Sequence, residues 1–224
     1  MLICTRGLPG SGKTTLARAL DLPIASSDET RHLLTRLGML PPLPPLIFEE
    51  SQKEHLVYWR LVHSLTLQRA AIFLDAGETV ILDATHLTRV AQQRSIELAR
   101  RFGHPILFLD VHTSWEELLR RLGARPEGLD YWLPVVMRML RSAEPLPEDV
   151  PRIRIDSTSP ASLVLSWTLL SGVINRPIPS PLSFFLSASP LSPSQEERWL
   201  SSVPPTGQGL NSLETGTPPP ARSG

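Results

Sequence analysis

The residues with the clearest chemical purpose lie near the amino terminus, in Gly7-Leu8-Pro9-Gly10-Ser11-Gly12-Lys13-Thr14-Thr15. From Gly7 to Thr14 they fit G-x-x-x-x-G-K-[ST]. Apolar Leu2-Ile3-Cys4 stands ahead of them and Leu16-Ala17-Arg18-Ala19-Leu20 behind, the strand-into-helix context that the pattern needs. Wrapping a polyphosphate in backbone N–H groups requires positions where a Cβ would block the chain's approach or forbid positive φ. Gly7, Gly10 and Gly12 meet that requirement. Lys13 supplies a point charge for the β- and γ-phosphates, the Thr14 hydroxyl is placed to ligate Mg²⁺, and the helix opening there turns its positive end toward the anion. The segment predicts a cradle for ATP·Mg²⁺, with contacts from Gly7 through Thr15.

Two acidic clusters stand at strand ends. Ile24-Ala25-Ser26-Ser27 follows the helix breaker Asp21-Leu22-Pro23 and reads as a strand, and Ser27-Asp28-Glu29-Thr30-Arg31 closes it. A parallel sheet delivers ligand-binding residues at the carboxyl ends of its strands, so Asp28 falls on the same edge as the glycine-rich loop. Ser27 or Asp28 is also suited to cap a helix over residues 29–37, and the two roles can coexist. Further on, the apolar run Thr79-Val80-Ile81-Leu82 ends in Asp83-Ala84-Thr85-His86. A carboxylate emerging there beside Thr14 suits the Mg²⁺-water partner of a phosphate loop.

Together GLPGSGKT, SDETR and DATH resemble the P-loop kinases of the polynucleotide 5′-kinase and zeta-toxin-like group, many of which are called AAA-type ATP-binding proteins. The resemblance covers about residues 1–156. In the 5′-kinases S-x-D-x-x-R supplies a general-base aspartate and an arginine near the acceptor phosphate. Here the pattern is contracted, with Ser27 next to Asp28, but Asp28 and Arg31 stay three apart, nearly one helical turn, and can face one cleft. The resemblance thus implies Asp28 as base, Arg31 as an acceptor-binding residue and Asp83 as a metal or active-site carboxylate. His86 stands where the group usually has Asn. The group also carries an R-N-x-x-R-like lid, and Arg121 and Arg125 match its outer arginines, with Leu122 in place of the Asn. Either arginine can close over the γ-phosphate; the plainer alternative is an exposed cluster at a helix end. The implied activity is transfer of the γ-phosphoryl group of ATP to a hydroxyl. A nucleic-acid 5′ end is the first acceptor it suggests and a small metabolite or nucleotide-sugar the second. An ATP-binding switch or NTPase working through a protein partner is the reading from another class.

The elements that must hold these residues alternate between strand and helix. After the helix from Lys13 and the strand before Asp28, the proline-rich Gly38–Leu46 stretch reads as a stiff connection, and residues 48–75 as a long helix stopped at Gly77. His55, Trp59 and His63 fall on that helix; without a second ligand set at metal spacing, both histidines read as helix-face residues. Residues 89–101 form an amphipathic helix, residues 106–111 a buried strand, and residues 115–122 a helix capped by Thr113 or Ser114. A lid helix over residues 131–141 and a last strand over 151–156 complete the pattern. Right-handed crossovers then collect the loops of Lys13, Asp28, Asp83 and the lid at one edge of an α/β fold: a parallel sheet of about five strands, helices on both faces and a helical lid.

Composition sets outer limits. The 224 residues are 41% hydrophobic, enough for one well-buried domain, and carry zero formal net charge, so no global basic field gathers nucleic acid or an anionic membrane. The single cysteine, Cys4, can form no internal disulfide and reads as a small core hydrophobe. No basic-then-apolar leader precedes the first strand and no apolar run reaches the roughly 18 residues of a membrane span, which sets the expectation of a cytoplasmic protein. Eleven of the 23 prolines fall after Asp156. The expected domain therefore ends at residue 156, and residues 157–224 form a Pro/Ser-rich tail with a short helix over 161–173 that can pack on the sheet and disorder from Pro177 on.

Overall fold

The computed structural model describes residues 1–40 and 52–174. Its strands are β1 (Leu2–Arg6), β2 (Ile24–Ser26), β3 (Val80–Asp83), β4 (Ile106–His112) and β5 (Arg152–Asp156). The helices are α1 (Lys13–Ala19), α2 (Ser27–Arg36), α3 (Gln52–Asp75), α4 (Arg89–Arg101), α5 (Trp115–Gly123), α6 (Gly128–Arg141) and α7 (Pro160–Ile174). The strands form one sheet in the order β2-β3-β1-β4-β5, every neighbouring pair parallel. That is the α/β architecture the alternation of elements predicts.

The strands read as unbroken apolar runs because both faces of the sheet are covered. Along β1, Leu2 and Cys4 point to one face, where Leu82, Phe108 and the α3 residues Ala70 and Leu74 meet them. Ile3 points to the other, against Ile81, Leu109, Leu16 of α1 and Trp167 of α7. Successive residues of an extended chain point to opposite sides, so one strand serves both layers. Cys4 is fully buried, as its place in an apolar strand requires, and burial pushes its thiol far above the ordinary range. Two smaller clusters extend the core toward the site. Leu34 of α2 packs with Tyr58 and Val62 of α3, and Leu118 and Leu122 of α5 pack with Val136 of α6 and with Leu8 of the glycine-rich loop.

Two expectations need correction. The second strand stops at Ser26, and α2 starts at Ser27 rather than Glu29. Its cap is neither Ser27 nor Asp28 but Ser26, whose hydroxyl accepts from the Glu29 N–H at 3.4 Å. The short helix expected after residue 156 forms as α7 and packs on the sheet. Helix α7 puts Leu163, Trp167 and Leu170 into the core beside Ile155, because β5 at the sheet edge would otherwise leave that apolar face in water. Most of the proline-rich connection and the tail from residue 175 lie outside the described residues. Among those described, no helix is long and apolar enough to cross a membrane.

Replacing Trp167 by Ala is expected to lower the unfolding free energy by about 3 kcal/mol or more, read from the urea midpoint. A loss under about 0.5 kcal/mol, the scale of a surface change, would place α7 outside the cooperative core.

Candidate functional site

The loop between β1 and α1 is held from both ends. The Gly7 N–H donates to the Thr85 carbonyl at 3.0 Å, and a Cβ on Gly7 would lie 2.1 Å from the Val111 carbonyl oxygen, a separation no side chain tolerates. Inside the turn the Leu8 carbonyl accepts from both the Ser11 N–H (3.1 Å) and the Lys13 ammonium (2.7 Å). Gly12, with φ +97°, caps α1 without contributing a side-chain acceptor, so the first-turn amides have no side-chain cap. The Ser11 hydroxyl is buried with no hydrogen-bond partner among the described residues. Burial pushes the Lys13 ammonium down to about 8, partly offset by the charges of Asp83 and Asp28 and deepened by that of Arg125. A concave backbone with unanswered donors and a desolvated cation suits a polyphosphate.

Beside it, the Asp83 carboxylate is 3% exposed. One of its oxygens accepts from the Thr5 hydroxyl and the other from the Thr14 hydroxyl, each at 2.8 Å. Thr14 and Asp83 thus present adjacent oxygens at the mouth of the loop, the hard donors Mg²⁺ takes, and the residues fit that ion. Among the described residues no group of three or more His, Cys, Asp or Glu side chains could hold a metal by itself. Mg²⁺ there would complete its shell from phosphate and water.

Pairing of Ser26 with Asp83 in the sheet register carries the start of α2 to the same edge. With Ser26 doing the capping, the Asp28 side chain is left 71% exposed on the cavity wall. It pairs with Arg31, whose Nε lies 3.9 Å from Oδ1. Arg31 is buried at 8% exposure and its Nε has no hydrogen-bond partner among the described residues.

The two lid arginines differ in how they are held. Arg121 donates to the Glu117 carboxylate (2.7 Å), the Gly10 carbonyl (3.2 Å) and the Ser157 hydroxyl (3.0 Å), lacing α5 to the loop and to the end of β5. Arg125 lies over the indole of Trp132, 4.4 Å from the ring centroid. Both arginines, with Lys13, Asp28, Arg31 and Asp83, line one cavity of about 730 Å³. The structure therefore brings every expected charged site residue together.

The same cavity is walled by residues that sequence reasoning assigned elsewhere or passed over: Trp59 and His63 of α3, and Tyr131, Trp132 and Arg138 of α6. Three of the chain's five tryptophans line it, counting Trp167. The adjacent aromatics Tyr131-Trp132 in the lid helix were the one local signal. His86 stays out of it. Its backbone takes the left-handed φ of +44°, which Asn and His tolerate better than most residues, so the substitution for the usual Asn preserves the turn. Its ring is buried, with Nδ1 2.6 Å from the Thr5 carbonyl and Nε2 2.9 Å from the Ser95 hydroxyl. Since a carbonyl only accepts, Nδ1 carries the proton and Ser95 donates to Nε2. Burial lowers the His86 pKa to about 4.

A sequence model described as an AAA domain matches residues 2–146. No curated protein matches the chain. Among solved structures, a candidate kinase of Chloroflexus aurantiacus is similar with TM-score 0.57 and 22% identity, covering 75% of this chain and 96% of that one. A sugar kinase from Janibacter sp. has TM-score 0.53 and 22% identity, over 78% and 96%. Chaetomium thermophilum Kti12, bound to ADP-AlF3, has TM-score 0.51 and 21% identity, over 78% and 99%. At this identity the likeness establishes the P-loop NTPase-type fold.

Because His86 binds a proton less readily folded than unfolded, its contribution to stability is complete above pH 6.5 and is lost as pH falls toward 4. A shift of this size corresponds to about 3 kcal/mol. His86→Asn keeps a residue that accepts positive φ and is expected to remove that part of the pH dependence, measured by urea unfolding at pH 7 and pH 4.5. Parallel losses in both proteins would contradict the assignment.

Proposed function

The chain belongs to the AAA-domain family matched over residues 2–146, and from that premise we propose that it is an ATP-dependent kinase acting on the hydroxyl of a small molecule. The observation that carries the proposal is the convergence of Lys13, Asp28 and Asp83 on one cavity of about 730 Å³, within the size range of small-molecule sites. Gly7 to Thr15 would grip the triphosphate through backbone amides and Lys13. Thr14 and Asp83 would hold Mg²⁺, which when bound neutralises charge on the β- and γ-phosphates. Asp28, exposed to the cavity and free of capping duty, accepts the acceptor's hydroxyl proton as its oxygen bonds the γ-phosphorus; the bridge between β- and γ-phosphates breaks and ADP leaves. Arg31 meets the acceptor. Arg121 holds the loop in shape through the Gly10 carbonyl, while Arg125 offers its guanidinium to the transferring group.

A small acceptor is favoured over a nucleic-acid 5′ end because side chains of α3 and α6 line the same cavity as the phosphate loop, at a volume suited to a small molecule, and the chain's neutral charge provides no track for a polyanion. The description of one similar structure as a sugar kinase accords with this reading.

Asp28→Asn is expected to retain ATP affinity and lose on the order of 10²-fold or more in kcat. Unchanged turnover would reject Asp28 as base. With γ-labelled ATP offered sugars, nucleosides, 5′-OH RNA, 5′-OH DNA and water, label is expected in a small hydroxyl compound. Label only in oligonucleotides would restore the 5′-kinase reading, and label only in phosphate would mark an NTPase.

A further inference from the structure

Trp132 has no place in the phosphate loop, the acid–base pair or the metal site, yet it is the one residue that a phosphate-directed arginine rests on. Among the described residues the Arg125 side chain makes no hydrogen bond and no ion pair; its contact is the indole face at 4.4 Å. Arg121, four residues earlier, is fixed by a carboxylate, a carbonyl and a hydroxyl. A hydrogen-bond clamp spends guanidinium N–H groups on the protein. Stacking leaves all of them, in the plane of the group, for an anion.

The platform is itself fixed. Trp132 packs on the cluster of Leu118, Leu122 and Val136 that joins α5 to α6, and its indole N–H donates to the Glu127 carboxylate at 3.2 Å. Arg125 sits in the short connection between those helices, where its carbonyl accepts from the N–H of Gly128, a residue at φ +73°. Its backbone is set by the turn, and the remaining freedom lies in a long side chain that the indole face restricts.

We propose that Trp132 is a positioning residue: it holds the Arg125 guanidinium, by stacking, in the orientation that meets the transferring phosphoryl group. This rests on the kinase reading above. The stack restricts rotamers that a phosphate would otherwise have to freeze, so its benefit appears where charge spreads over the equatorial oxygens of the moving phosphoryl and not where ADP alone is bound.

The test compares binding of Mg·ADP with binding of Mg·ADP plus aluminium fluoride, a mimic of the transferring group, by calorimetry. Trp132→Leu, which fills space without an aromatic face, is expected to weaken the aluminium fluoride complex roughly tenfold, the scale of a partly desolvated cation–π contact. Its affinity for Mg·ADP should change less than about twofold. Trp132→Phe restores a face and should recover most of the loss. In an Arg125→Ala background Trp132→Leu should cost nothing further. A variant damaged in folding would lose both complexes together, and that result would overturn a positioning role, as would an additive double variant or an unaltered Trp132→Leu. Should the unsubstituted protein bind Mg·ADP no tighter with aluminium fluoride than without, the kinase reading falls and this inference with it. An enhancement that survives in Trp132→Leu removes the Trp132 role alone.

Discussion

At the end of β3 one buried residue, Asp83, ties four elements together. Asp83 accepts from Thr5 on β1 and from Thr14 on α1, and its backbone carbonyl accepts from Ser27 at the start of α2. A buried carboxylate is tolerated only when its oxygens are answered, so the positions of the Thr5 and Thr14 hydroxyls follow from the cost of leaving the charge unpaired. Parallel pairing of Ser26 with Asp83 and of Cys4 with Leu82 sets the three chains in register to reach it. Loosen that point and the phosphate loop, the α2 carboxylate and the metal-suited oxygens lose their common frame.

Around this frame the same residue type does different physical work. Arg121 is structural lacing, its donors spent on Glu117, Gly10 and Ser157, whereas Arg125 lies over an aromatic face and, among the described residues, keeps its donors. Lys13, folded onto the Leu8 carbonyl, is a desolvated cation whose burial disfavours charge until an anion arrives. The histidine that follows Thr85 is likewise a packing element, neutral between a carbonyl and a hydroxyl, in a turn whose positive φ it tolerates.

Much of the frame could be read in the chain because the signals are local. The glycine spacing, the apolar strands leading to Asp28 at the start of α2 and to Asp83 at the end of β3, and the single buried cysteine each depend on residues a few positions away. The family shown by residues 2–146 agrees with the AAA-type resemblance drawn from GLPGSGKT, SDETR and DATH, while the narrower likeness to 5′-kinases goes beyond what that family match shows. The cap of α2 was misplaced by one or two residues, since Ser26, Ser27 and Asp28 are all good caps and only the extended φ of −99° at Ser26 and the bond its hydroxyl accepts from the Glu29 N–H distinguish them.

What the sequence determined by itself was the parallel sheet, the phosphate cradle and the acidic residues at strand ends, because backbone sterics and strand-end placement leave those features few alternatives. What only the tertiary structure decided was which side chains close the cavity, which arginine keeps its donors and how far the core extends. Trp59, Tyr131 and Trp167 come from α3, α6 and α7, and no periodicity within one helix states which other helix it will face. The amphipathic patterns specify that a face is buried; packing across the whole sheet chooses what it is buried against.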